Sequence, residues 1–260
     1  MSARNTKIIC IANQKGGVAK TTTAINLASA LALAGLKTLL IDIDPQGNAS
    51  TGLGVSQDNR AVSIYQVLLG DSNIDNAILP TDIKNLHIIP SSIDLSAAEV
   101  ELLTLDEKEK ALKRAISQNT IGYDYILIDC PPSLGQLTIN ALAASNGIII
   151  PMQCEFYALE GLSHLLKTID FIQKNLNKSL KIIGVLLTMH DKRNKLTDDV
   201  DTDVRSYLGE IVFQTVIPRN VRISESPSHG MPVLTYDPFS SGSKAYHALT
   251  QEFLMRENIL

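Results

Sequence analysis

Residues 15–22, Lys-Gly-Gly-Val-Ala-Lys-Thr-Thr, set two lysines five positions apart around a glycine pair, with a short apolar run before them and an alanine- and leucine-rich run after. Residues 7–12 read as a buried strand and residues 21–34 as a helix, so the chain turns from strand to helix at the glycines. Such a turn gathers the free amides of the first helical turn and the positive end of the helix dipole at one point. A glycine there, without Cβ, lets a polyphosphate approach the backbone. Lys20 adds a full positive charge, and Thr21 places a hydroxyl where a Mg2+ ion bound to phosphates needs an oxygen ligand.

The ordinary phosphate-loop pattern, G-x-x-x-x-G-K-[ST], fails twice, at Gln14 and at Ala19. Lys15 with Gly16 and Gly17 instead matches the deviant Walker A form, K-G-G-x-G-K-[ST], in which a second lysine opens the loop. A lysine- and glycine-rich turn alone reads equally well as a surface loop. The strand before it, the helix after it and the Thr21-Thr22 pair weigh against that reading. Ala19 matters if its position requires positive φ, where a Cβ costs about 1 kcal/mol; at negative φ little is lost.

The rest of the chain alternates strand and helix. Strands are expected at residues 38–42, 86–90, 125–129, 147–152, 181–189 and 211–216. Helices are expected at 63–69, 134–145, from 159 onward, 198–208 and 241–255, and residues 95–119 are expected to be largely helical. Continuous apolar strands separated by helices imply an α/β fold, a mostly parallel twisted sheet covered by helices on both faces. No repeat or long linker divides the 260 residues, so one domain spanning 1–260 is expected. No apolar run approaches the ~20 residues a bilayer span needs, and the amino terminus lacks an apolar signal core. A soluble cytoplasmic protein is therefore expected. Cys10, Cys130 and Cys154 have no C-x-x-C spacing and read as buried apolar residues in a reducing compartment. A net charge of -4 gives no global attraction to nucleic acid, so any DNA contact must come from a local or assembled patch.

In such sheets ligands sit beyond the carboxyl ends of the strands. Residues 39–48, Leu-Leu-Ile-Asp-Ile-Asp-Pro-Gln-Gly-Asn, put Asp42 and Asp44 at one strand end, and residues 125–133 put Asp129 at another. A lone strand-end aspartate is more often a turn or helix cap. Combined with the loop at residue 15, Asp129 fits a Walker B carboxylate holding a Mg2+ water. Asp44 opens the loop after its strand, within reach of water attacking a terminal phosphate, as a base or as an orienting group.

Together with the loop, residues 42–48, 127–133, 154–161 and 217–228 resemble the ParA/Soj family of chromosome and plasmid partition ATPases over nearly the whole chain. The resemblance implies a deviant Walker A, P-loop NTPase-like fold that binds ATP and Mg2+. Lys15, Lys20, Thr22 and the backbone of Gly16, Gly17, Val18 and Ala19 would bind phosphates, Thr21 and Asp129 the metal, and Pro218 and Asn220 would border the adenine. Asp44, with Lys15 and Lys20, would govern slow hydrolysis. Lys15 cannot easily curl onto its own phosphates, and in the family it serves the partner's nucleotide in an ATP sandwich homodimer. The family further implies nonspecific double-stranded DNA binding, a ParB/Spo0J-like centromere-binding partner that stimulates hydrolysis, and a nucleoid-associated location without membrane attachment.

The residues themselves show less of the DNA contact. Residues 181–222 hold seven Lys/Arg against six Asp/Glu, the balance of a solvated surface. Yet residues 211–222 contain no acid, Lys192, Arg193 and Lys195 cluster nearby, and the resemblance singles out Arg193, Arg219 and Arg222. Asp199, Asp201, Asp203 and Glu210 mimic EF-hand spacing, but Val204 stands where that loop needs glycine, and a helix beginning near Thr197 explains the run. His190 and His229 read as surface or loop residues. A MinD-like positioning ATPase would end in a basic amphipathic helix, whereas residues 251–260 carry two Glu and one Arg. A reductase of the nitrogenase iron-protein type would need cluster-ligating cysteines, and only Cys130 lies near a candidate switch loop. A metabolic ligase or kinase would need a second substrate pocket, for which the sequence holds no distinctive cluster, and a nucleotide-binding scaffold without significant turnover is the remaining alternative.

Overall fold

The computed structural model describes residues 6–119, 122–155, 158–191 and 193–257. Lys192, the Phe156-Tyr157 pair of one family-like stretch, and both chain ends (1–5 and 258–260) lie outside the described residues.

The strands are β1 (Lys7–Ile11), β2 (Thr38–Asp42), β3 (Leu79–Pro80), β4 (Leu86–Ile89), β5 (Tyr125–Asp129), β6 (Gly147–Gln153) and β7 (Lys181–Thr188). They form one sheet in the order β3-β4-β2-β5-β1-β6-β7, parallel throughout except for the short β3–β4 pair at one edge. The helices are α1 (Lys20–Leu33), α2 (Asn48–Gly52), α3 (Ile64–Leu69), α4 (Leu95–Glu101), α5 (Ala111–Asn119), α6 (Gln136–Ala144), α7 (Ala158–Asn175), α8 (Lys195–Leu208), α9 (Val221–Glu225), α10 (Val233–Tyr236) and α11 (Ser241–Arg256).

Alternation along the strands divides the core. Ile9, Ile11, Leu40, Tyr125 and Leu127 face the layer containing α1 and α11, while Cys10, Leu39, Ile41, Ile126 and Ile128 face the layer from α3 to α8. Both faces are apolar because both are covered, which is why the strands read as continuous hydrophobic runs. All three cysteines are buried and free.

Two expectations need correction and one is refined. Residues 211–216 are not a strand. Phe213 N donates to Val185 O at 2.9 Å and Ile217 N to Leu187 O at 2.9 Å, but between them the amides of Gln214 and Thr215 donate to the Glu252 carboxylate of α11, at 2.8 and 2.9 Å. A side chain far along the chain thus interrupts the ladder. Residues 95–119 are largely helical as expected, but divided into α4, two 3-10 turns and α5, with Glu107 in the left-handed region at φ 53. Helix α8 begins at Lys195, and Asn194, not Thr197, caps it by accepting from Leu196 N at 3.1 Å.

Arg256 secures the interrupted edge. Its guanidinium donates to the carbonyls of Ile183, Ile211 and Val212 at 3.0, 3.1 and 2.9 Å and lies 4.1 Å from the centre of the Phe213 ring. Arg256→Ala should cost about 2–3 kcal/mol and lower Tm by roughly 5–10 °C. An unchanged thermal midpoint would show that the edge holds without it.

Candidate functional site

The parallel register of β2 with β5 sets Asp42 beside Asp129, and both side chains are fully buried at the carboxyl end of the sheet. Asp42 accepts from Ser50 N at 2.8 Å, Ser50 Oγ at 2.7 Å and Asp44 N at 3.2 Å. Burial still pushes its carboxyl up to about 6, with those bonds opposing the rise and Asp44 adding to it. Asp129 is raised well above the carboxylate range, first by burial and then by Asp42; the neighbouring Thr21 hydroxyl and Lys20 only partly oppose this. Neither Asp129 oxygen has a hydrogen-bond partner of good geometry. Asp42 is therefore a strut for the Ser50 turn, while Asp129 is a buried carboxylate left unsatisfied.

Opposite them stands the amino end of α1. Ala19 adopts φ 65, ψ 34, no side chain caps the helix, and its first turn carries no acid. The loop before it is pinned from below: Thr188 Oγ1 donates to Val18 O at 3.0 Å, Asn13 Nδ2 to Pro151 O at 2.8 Å, and Gln14 Nε2 to Gly161 O at 3.0 Å. Gln14, at the first glycine of the ordinary pattern, thus ties the loop to α7. Gly17 sits at φ 74 with nothing within 4 Å of where a Cβ would be. Lys20 Nζ reaches back over the loop to Lys15 O at 2.9 Å. Burial lowers the Lys20 pKa, an effect that Asp129 and Asp44 oppose.

These parts enclose a cleft of about 370 Å³ that brings together Gly16, Gly17, Ala19, Lys20, Thr21, Thr22 and Asp44. Gln46, Asn48, Pro132 and Met189 also line it and were missed as site residues. Gln46 and Asn48 lie inside the 42–48 stretch that carried the resemblance; nothing in the sequence marks Met189, which is left-handed at φ 50. Val18 is buried beneath the loop. Lys15 does not enter the cleft: its ammonium pairs with Glu155, with both side chains about half-exposed at 44%.

The remaining candidates lie on the segment beyond β7. Pro218 pairs with His190, and Asn220 caps α9 while its Nδ2 donates to Ser241 Oγ at 2.8 Å. His190 is buried, contrary to expectation, with Nε2 3.4 Å from Asp201. Arg193 grips Asp191 through Nε at 2.9 Å and Nη2 at 2.8 Å, and Arg222 lies between Glu225 (2.9 Å) and Asp237 (3.3 Å). Arg219 is exposed and has no salt bridge among the described residues. The patch without acids in sequence thus meets acids brought in by the fold.

The cleft fits a Mg2+-bound polyphosphate. Uncapped amides and Lys20 suit the anion and the Thr21 hydroxyl the cation; Asp129, fully buried and not itself on the cleft wall, lies behind Thr21, where its unsatisfied carboxylate suits the cation's waters.

Residues 6–182 match the family model described as an AAA domain. The chain is 52% identical over 251 residues to the chromosome partitioning protein ParA of Myxococcus xanthus, covering 96% of this chain and 89% of the relative. It is likewise 52% identical over 246 residues to the sporulation initiation inhibitor protein Soj of Bacillus subtilis, covering 95% and 97%. Among solved structures, cobyrinic acid a,c-diamide synthase from Mycobacterium smegmatis, with bound ADP and magnesium, superposes with a TM-score of 0.85 at 38% identity, covering 98% of this chain and 96% of that one.

Two outcomes follow from the site. A carboxyl whose folded pKa is raised stabilises the fold only while protonated, and that contribution is lost as pH rises through the folded value. For Asp42 the window runs from its ordinary value near 3.8 to about 6. Asp129, raised further, should leave a net charge penalty near neutrality. Asp129→Asn should therefore raise the Tm of nucleotide-free protein at pH 7.5, with the gain shrinking as pH falls toward 4, while weakening Mg2+-dependent nucleotide binding at least tenfold. A lower Tm at pH 7.5 would contradict the charge argument. Ala19→Gly removes a left-handed strain present before any ligand arrives, so it should stabilise the fold by about 0.5–1 kcal/mol while changing nucleotide affinity less than tenfold. A larger gain in affinity would mean that the Ala19 methyl crowds the ligand.

Proposed function

Since the chain belongs to the ParA/Soj family of P-loop partition ATPases, we propose that it segregates chromosomal or plasmid DNA through an ATP-dependent dimer that binds DNA without sequence preference. In this reading residues 1–260 act as one ATPase unit. The observation that carries the proposal is the pairing of an uncapped, glycine-preceded helix end with a second lysine turned out of the same loop. ATP supplies the phosphoryl group and Mg2+ neutralises charge between its phosphates. Lys20, Thr22 and the loop amides hold the phosphates, Thr21 and Asp129 hold the metal and its water, and Asp44 aligns the attacking water. Asp44 already accepts from Gln46 N at 3.0 Å through Oδ1; its other oxygen bonds no described residue. Little covalent chemistry falls to the protein, so positioning sets the rate, and turnover stays slow until a partner completes the site.

Lys15 is suited to that completion between two copies. Its pair with Glu155 is exposed, and such pairs contribute at most about 1 kcal/mol, so a phosphate of the facing subunit can displace the acid. The same argument supports DNA contact by Arg193, Arg219 and Arg222. Arg193 and Arg222 are themselves exposed and their acid partners only partly buried, so phosphates can compete for them, and doubling a weak patch in a dimer raises its effective affinity. Pro218 and Asn220 would border the adenine. A ParB/Spo0J-like protein is the proposed stimulating partner, and the cytoplasm, on the nucleoid, the proposed location. No helix among the described residues is long and apolar enough to cross a membrane.

Sedimentation with ATP, ADP or no nucleotide, with and without nonspecific duplex, tests the assembly. The native chain should dimerise with ATP alone and bind duplex only then, whereas Lys15→Ala should stay monomeric. Arg193→Ala/Arg222→Ala should dimerise normally but lose duplex affinity at moderate salt. An ATP-dependent dimer fraction unchanged in Lys15→Ala would sink the sandwich, and undiminished duplex binding in the double variant would sink the DNA surface.

A further inference from the structure

Arg60 is a buried cation that the phosphate site does not use. It is 5% exposed and follows the 3-10 turn Gln57–Asn59. Its Nη2 donates to Val55 O at 2.7 Å and Thr51 Oγ1 at 2.8 Å, and Nη1 makes longer bonds to Gly47 O at 3.4 Å and Ser91 O at 3.5 Å. Nε is buried without a partner. Among the described residues no carboxylate forms a salt bridge with it; burial lowers its pKa, and Asp42 opposes the drop from a distance. A guanidinium held this way is expensive, and where only volume is needed an apolar side chain does as well or better. The location of its bonds supplies a reason for keeping it.

Three of the four acceptors lie on residues 47, 51 and 55 of the segment that begins at Asp44. Gln46 N donates to Asp44 Oδ1 at 3.0 Å and Gly47 N to Asp44 O at 2.8 Å, so residues 44–47 form a closed turn that fixes the carboxylate at one end and the Gly47 carbonyl at the other. That carbonyl also accepts from Thr51 N at 3.0 Å and Thr51 Oγ1 at 3.1 Å. A Cβ on Gly47, itself at φ 62, would lie 2.4 Å from Arg60 Nη1, so the guanidinium leaves the turn no room to shift toward it. The fourth acceptor, Ser91 O, follows β4 and anchors the group to the sheet. Ser91 N donates to Ser50 Oγ at 3.0 Å, and Ser50 in turn donates to Asp42.

We propose that Arg60 is a positioning residue for hydrolysis, holding the 44–47 turn against the sheet so that the Asp44 carboxylate faces the amino end of α1. The proposal rests on the reading that Asp44 governs hydrolysis. It separates turnover from binding, because the loop amides and Lys20, which hold the phosphates, make none of the bonds to Arg60.

The test measures steady-state ATP turnover with duplex present, together with nucleotide affinity, for Arg60→Met, Arg60→Lys and Thr51→Val, each with Asp44 intact and with Asp44→Asn. Arg60→Met should lower kcat at least tenfold while nucleotide Kd stays within threefold. Thr51→Val, which loses one anchor, should lower kcat about three- to tenfold, and Arg60→Lys should recover part of the loss. With Asp44→Asn in place, Arg60→Met should slow turnover no further, since both act on one step. A purely structural Arg60 would instead add its loss in both backgrounds or express it in Kd, and either result overturns the proposal. Should Arg60→Met fail to fold, Thr51→Val decides, and native kcat there overturns it. Slow Asp44→Asn beside normal Arg60→Met rejects this proposal alone, whereas full turnover in Asp44→Asn rejects the reading of Asp44 itself.

Discussion

Two aspartates share one rung of a parallel sheet, and the surrounding architecture is arranged around their buried charge. Asp42 and Asp129 are brought side by side because β5 lies between β2 and β1. Asp42 is answered by the Ser50 amide and hydroxyl, and beyond them by Arg60 across the same loop. Asp129 is answered only by Lys20, the Thr21 hydroxyl and the positive end of α1. Like charges in a low-dielectric interior are tolerated only where something offsets them, and a divalent cation would do so more fully than one lysine. The unsatisfied carboxylate, the uncapped helix and the flanking lysine are therefore parts of one electrostatic arrangement.

Much of this was legible in the sequence because it depends on local pattern. The apolar runs gave six of the seven strands, since a strand covered on both faces has little choice of residue. The glycine pair and Lys20-Thr21 marked the turn from β1 into α1. What escaped depends on partners far along the chain. Glu252 takes the amides of Gln214 and Thr215, so a β-like run becomes a loop. Asp237, outside the acid-free 211–222 run, approaches Arg222. Burial of His190 beneath the 217–219 segment had no signature in composition. Arg60 looked like one more loop cation, because its four acceptors are spread over 45 residues of sequence and three of them are backbone carbonyls.

Two of the four left-handed non-glycine residues among those described sit where the sheet meets the cleft. Ala19 and Met189, on different elements, both hold left-handed geometry and both line it. Neither has the freedom of glycine, so each conformation is imposed by its surroundings: Val18 is held beneath by Thr188, and Met189 lies between β7 and the His190 pairing with Pro218. Strain kept in place before a ligand arrives is a form of preorganisation, because the conformational cost is met during folding and does not recur at each binding event.

In the proposed reading, the stretch from Pro218 to Arg222 combines base-bordering and polyanion-binding tasks within five consecutive residues. It is anchored to the sheet through the backbone bonds of His190 with Ile217 and Arg219, and to α11 through the Asn220 amide. A purine ring resting against Pro218 and Asn220 would press on a backbone whose next side chains, Arg219 and Arg222, face solvent. Communication between a bound base and a distant polyanion would then need no relay of packed groups across the molecule. A rotation of one or two peptide planes would re-aim the cations directly.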